Sequence, residues 1–116
     1  MQPTQEVAAT LRLAVNVISE RGRTVGVFER TATGPVCMIG AIRVAAHGEA
    51  CTDDELSEAA IEAVSARIDS PIVYRDPIER IAEWHDRPER TGDEVVAQLR
   101  RIANELDVSV ARQVAA

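Results

Sequence analysis

Any chemistry in this chain has to come from a short set of side chains. Of 116 residues, only Cys37 and Cys51 carry a thiol and only His47 and His85 an imidazole. His85 is followed directly by Asp86, inside the stretch WHDRPERTGDEV (84–95), which also holds the single tryptophan, Trp84. A thiol nucleophile, an imidazole base and a carboxylate orienting that base are what a cysteine-dependent hydrolase requires. Cys37, His85 and Asp86 are the residues that would fill those roles. Cys37 stands near the start of an apolar run, where a helix dipole would favour its thiolate. Against this, consecutive side chains on a helix point about 100° apart, so Asp86 is expected to be badly placed to orient His85. Cys37, His47, Cys51 and His85 are also a conceivable zinc set. Cys37 and His47, however, sit ten residues apart, about 15 Å along one helix, and cannot share an ion. His47 and Cys51 alone make too few ligands. The sequence therefore favours a buried, structural Cys37 and a non-enzyme over an enzyme, and it predicts no metal site and no cofactor.

The elements that must position these residues read as helices. Val7, Leu11, Val15 and Ile18 recur at helical spacing, giving a first helix over 4–21 with Thr4 as its cap and Gly22 as its stop. Val25, Val27 and Phe28 suggest a short strand or an ordered loop, since Gly26, Gly34 and Pro35 oppose a helix there. A second helix over 35–47, with Pro35 as its first residue, is apolar on every face except at Arg43 and belongs at the centre of the domain. Gly40 within it suggests close approach by a neighbouring helix. Thr52 and Glu55 form a capping-box pattern for a third helix over 53–68. PIVYR (71–75) reads as extended or loop. Asp76-Pro77 starts a fourth helix over 77–85, and Thr91 caps a fifth, carrying Val95, Leu99, Ile102, Ala103 and Leu106 inward and able to continue to Val114. The expected fold is all-α, one domain over 1–116, with about five helices around the central one. In that fold 84–95 is a joint: Trp84 packs beneath the loop, Asp86 accepts from Arg90 or loop amides, and Thr91 caps the helix that follows.

Charge narrows the partners. The formal net charge is −6, which argues against direct nucleic-acid binding or an anionic membrane. The imbalance is local: between Glu49 and Asp69 there are seven acids and one base, Arg67. Asp54, Glu55, Glu58 and Glu62 share one helix face by their spacing. They are candidate binding residues for a basic protein, together with Trp84, Asp86 and Arg90; a second copy of the chain is a further candidate partner. Arg80, Arg87, Arg90, Arg100 and Arg101 could gather an anion, but Glu79, Glu83, Glu89 and Glu94 are near enough to neutralise them. All 13 basic residues are Arg, which reads as codon usage in a GC-rich genome. No run of 18 apolar residues predicts a membrane span, MQPTQEVAAT has no secretory-signal pattern, and two cysteines make no disulfide framework. A cytoplasmic location is the expectation.

Cys37, Gly40 and Ala41, followed by Trp84, Asp86, Arg90, Thr91, Glu94 and Val95, form a pattern that resembles a family of small actinobacterial and actinophage proteins of unknown function, approximately C-x-x-G-A, then W-N-D, then R-T-x-x-E-V. The resemblance covers roughly the last two thirds of the chain and implies an all-α fold. It implies no activity. His85 stands where that pattern has Asn, which counts against an acid/base histidine. The function expected is a small binding or regulatory protein acting through protein contacts, with a hydrolase using Cys37 and His85 as the alternative.

Overall fold

A computed structural model describes residues 3–71 and 76–115. Among them are five helices: α1 (Pro3–Arg21), α2 (Met38–His47), α3 (Glu55–Ser65), α4 (Pro77–His85) and α5 (Gly92–Ala115). The protein is all-α, as the apolar spacing predicts. The part of PIVYR at 72–75 lies outside the described residues.

Helices α1 and α5 run side by side and antiparallel. Arg12, midway along α1, reaches Asn104 and Asp107 in the middle of α5, and Gly92 at the start of α5 lies beside Arg23, just past the end of α1. Their facing stripes, Val7, Leu11, Val15 and Ile18 with Val95, Leu99, Ile102 and Leu106, are buried. α2 packs against α1, α3 and α4 and is the hub of the core, with Met38, Ala41 and Ile42 wholly excluded from solvent. α5 continues unbroken to Ala115, because Val110 extends its buried stripe by one more turn.

The helix starts depart from expectation where a tertiary contact outcompetes a local one. Thr4 lies inside α1, which begins at Pro3. Pro35 does not begin α2. Residues 22–36 fold back as a loop in which Val36 is bridged to both Arg23 and Glu29, with Thr24 N–H donating to Val36 O and Val36 N–H to Gly22 O. The extended pairing holds 35 and 36 outside the helix, so α2 starts at Met38 with Cys37 as its cap. Val25 and Val27, read as part of a short strand or an ordered loop, lie in the loop, 42% and 43% exposed. Gly40 makes room not for a helix but for this loop: a Cβ there would stand 2.0 Å from the carbonyl oxygen of Phe28.

α3 is capped by Asp54 and Ser57 rather than by Thr52 and Glu55. Asp54 accepts from Ser57 N–H at 2.8 Å, and Ser57 Oγ accepts from Asp54 N–H at 2.9 Å. The reason lies in α2. Arg43, expected to be that helix's one polar exception, is itself buried. Its guanidinium grips both oxygens of Asp53, at 2.8 and 2.9 Å, and rests 4.6 Å from the Phe28 ring centroid. Asp53 is thus held out of the helix, and the start moves to the next acid. α3 ends at Ser65 instead of 68, although Ile68 is still buried.

The Arg43–Asp53 pair ties α2 to both the loop before it and the turn after it. Breaking a buried pair costs about 3–5 kcal/mol; Asp53 retains 27% side-chain exposure and can rehydrate, so Arg43→Met is expected to cost about 2 kcal/mol at pH 7. The Arg43 hydrogen bonds hold the Asp53 carboxyl below the ordinary aspartate value of 3.8. A depressed folded-state pKa means stabilisation that is present above the unfolded value and lost as the pH falls through the lower, folded one. The gap between wild type and Arg43→Met, measured by urea unfolding, should therefore shrink as the pH drops below 3.8.

Candidate functional site

Two local signals place the residues of interest. Cys37 is the cap of α2: its extended backbone turns the chain into the helix, and its Sγ accepts from Gly40 N–H at 3.3 Å. Asp76 caps α4 by accepting from Ile78 N–H, with Pro77 in the first turn, and nine residues later the helix delivers Trp84 and His85 to the interior, 6% and 1% exposed.

These two helix ends and the loop at 26–28 enclose a cavity of about 220 Å³. Phe28, Met38, Ile39, Ile78 and Ile81 give it apolar walls, and Cys37, His85 and Asp86 are its polar residues. The three residues of the hydrolase alternative are therefore brought to one place. The expected misalignment of Asp86 is also corrected. Asp86 is the residue after the last helical one, with φ −87° and ψ 3°, so the 100° rule of a continuing helix does not govern it. Its Oδ1 lies 2.7 Å from His85 Nδ1. The carboxylate thus accepts from Nδ1–H, leaving Nε2 of the neutral ring as an acceptor. Nε2 is buried and has no hydrogen-bond partner among the described residues.

Burial sets the ionisation of both groups. It pushes the Cys37 thiol above its usual range, overcoming the Gly40 and Ile39 amides that favour the thiolate. It also holds His85 below its usual value, against the pull of Asp86. The dipole effect expected at Cys37 is present and is outweighed. A helix C-terminus ordinarily favours a protonated imidazole, but at His85 that form is disfavoured because the ring is buried. Both groups are neutral at pH 7.

The joint at 84–95 is built somewhat differently from expectation. Asp86 accepts from the His85 ring, not from Arg90. Arg90 lies over the Trp84 ring, 3.8 Å from its centroid, donates from Nε to Trp84 O and pairs with Glu94 at 2.9 Å. Thr91 and Glu94 close a capping box on α5, each amide donating to the other's side chain. Trp84 and Arg90 thereby serve the joint. Three of the other arginines of the anion-site idea are engaged separately: Arg80 donates to Ser65 O and Ile68 O, Arg87 pairs with Glu83, and Arg101 with Glu105. Among the described residues no three His, Cys, Asp or Glu side chains are grouped to hold a metal ion, and His47 Nε2 instead lies 2.5 Å from Thr52 O.

The acidic face of α3 is a separate feature. Asp54 is used as a cap. Glu55, Glu58 and Glu62 are exposed, and no hydrogen bond or ion pair engages them among the described residues. Glu58 and Glu62, with Asp53 and Asp76, rim a groove of about 160 Å³ floored by Ile61, Pro77 and Ile78. The contribution of α4 to this groove could not be read from α3's spacing, since it depends on how the two helices pack. Among the described residues no helix is long and apolar enough to cross a membrane.

A family described as Family of unknown function (DUF6197) matches residues 2–105. No curated protein matches the chain, and no solved structure does. The match spans nearly the whole sequence, and the chain belongs to this family.

Proposed function

We propose that this member of the DUF6197 family is a small, cytoplasmic binding or regulatory protein that acts through contact with a basic protein segment, without covalent chemistry. The observation that supports this reading is the acid-rimmed groove between α3 and α4. Several other acids are paired with arginines: Asp53, at the groove's own edge, with Arg43, and away from the groove Glu29 with Arg21, Glu83 with Arg87, Glu94 with Arg90 and Asp107 with Arg12. Glu58 and Glu62 are left to solvent beside an apolar floor. An Arg or Lys side chain fits such a place, laying its aliphatic stem on Ile61 and Ile78 and its charge between carboxylates. The Arg-only basic set fits a GC-rich actinobacterial or phage source for the protein. The test is titration of a labelled Arg-rich peptide at several salt concentrations. Wild type should bind with a marked salt dependence, and Glu58→Arg/Glu62→Arg should weaken binding at least tenfold, a rough figure for two reversed charges. Equal affinity of the two proteins would overturn the proposal.

The hydrolase alternative draws on the meeting of Cys37, His85 and Asp86 in one cavity. It fares worse, because a cysteine nucleophile works as thiolate and burial keeps this thiol protonated. Iodoacetamide at pH 7 should label the exposed Cys51 rapidly and the buried Cys37 slowly, on the order of a hundredfold slower or more for a protonated, shielded thiol. Fast, selective labelling of Cys37, read by mass spectrometry, would restore the enzyme reading.

A further inference from the structure

The cavity between the 26–28 loop, α2 and α4 shares Ile78 with the acidic groove but has a different chemistry. Its walls are mostly apolar, and they include a buried imidazole nitrogen with no hydrogen-bond partner among the described residues. We infer that it is a binding site for a compact, neutral, mostly apolar molecule carrying a single hydroxyl or N–H group, which donates to His85 Nε2.

Four observations carry this. His85 is 1% exposed and lines the cavity. Its Nδ1 is engaged by Asp86 Oδ1 at 2.7 Å, which fixes the tautomer and leaves a lone pair on Nε2. That nitrogen has no partner among the described residues, and buried polar atoms in folded proteins are nearly always partnered. Finally, the volume of about 220 Å³ suits a small ring: an apolar cavity of roughly 150 Å³ accepts benzene. The site reaches the surface at Val27, which lines it and is 43% exposed, so a ligand has a route in. A neutral ligand is indicated because the charges near His85 oppose one another. Asp86 acts in one direction on the ring and Arg23 and Arg90 in the other, and the one charged residue lining the cavity, Asp86, is already engaged with the His85 ring. Cys37 adds a weakly polar sulfur already capped by Gly40 N–H, so the discriminating contact falls to His85.

Phenol and toluene serve as probes, equal in shape and differing in the one donor. Their binding is followed by the methyl signals of Met38, Ile39 and Ile78 in carbon-13 NMR titrations. The wild type should saturate with both, and phenol should bind roughly tenfold tighter, the effect of one buried hydrogen bond. Benzoate should bind weakly or not at all. In His85→Leu, which keeps the bulk and removes the acceptor, the phenol preference should fall to about one. Should His85→Leu fail to fold, Ala82→Phe places a ring in the same space and should abolish binding of both probes while circular dichroism remains helical. Absence of saturable binding in wild type, equal affinity for phenol and toluene, or probe binding that survives Ala82→Phe would each overturn the assignment. None of these outcomes bears on Glu58 and Glu62.

Discussion

Gly40→Ala should destabilise the protein by about 3 kcal/mol or more, although alanine is the better helix former by about 1 kcal/mol. The added methyl would meet the Phe28 carbonyl oxygen at 2.0 Å and its carbon at 2.9 Å. Both are backbone atoms and cannot swing aside as a side-chain end would. Either the loop at 22–36 lifts from α2 or α2 moves within the core. The first loses the Cys37 N–H to Phe28 O hydrogen bond of 3.1 Å and with it the geometry of the α2 cap; the second disturbs Met38 and Ile42, which are fully buried. Gly26→Ala is the matched control. Nothing lies within 4 Å of a Cβ there, and only its φ of +80° opposes the change, a cost of about 1 kcal/mol. Urea unfolding of the two variants checks the difference. A Gly40→Ala protein as stable as wild type would mean that the loop is not seated against α2.

Trp84→Ala should cost about 3–5 kcal/mol. The ring is 6% exposed, within the same core cluster as Ile81 and Val64, and its far face is covered by the Arg90 guanidinium. Truncation opens a large cavity and leaves Arg90 without its ring. A Trp84/Arg90 double-mutant cycle should show coupling of about 1 kcal/mol, since a partly desolvated cation–π contact is of that size. Suppose instead that Trp84→Ala is nearly neutral in denaturant while binding of a basic peptide disappears. The 84–95 stretch would then be a recognition surface rather than a joint.

The all-α fold, the membership of the inward stripes on α1 and α5, the limits of α4 and the glycine stop at 22 were legible in the sequence. Each depends on residues within one or two turns of one another: apolar side chains at helical spacing, a cap acid, a proline, a glycine. What the tertiary structure alone decided is where a distant group outbids a neighbour. The sequence offered Thr52 as the cap of α3, and the cap is Asp54 because Arg43, ten residues before Asp53, holds that carboxylate out of the helix. Pro35 offered a first turn for α2, and the pairing of Val36 with 23 and 29 withheld it. The cavity follows the same logic. The residue types of Cys37, His85 and Asp86 were visible, but the contact between His85 and Asp86 depends on α4 ending between them. The neutrality of Cys37 and His85 depends on burial by Phe28, Ile39 and Ile81, contributed by three separate segments. Helical periodicity is a local property and can be read along the chain; ionisation and enclosure are set by what other segments exclude water, and these exist only once the chain has folded.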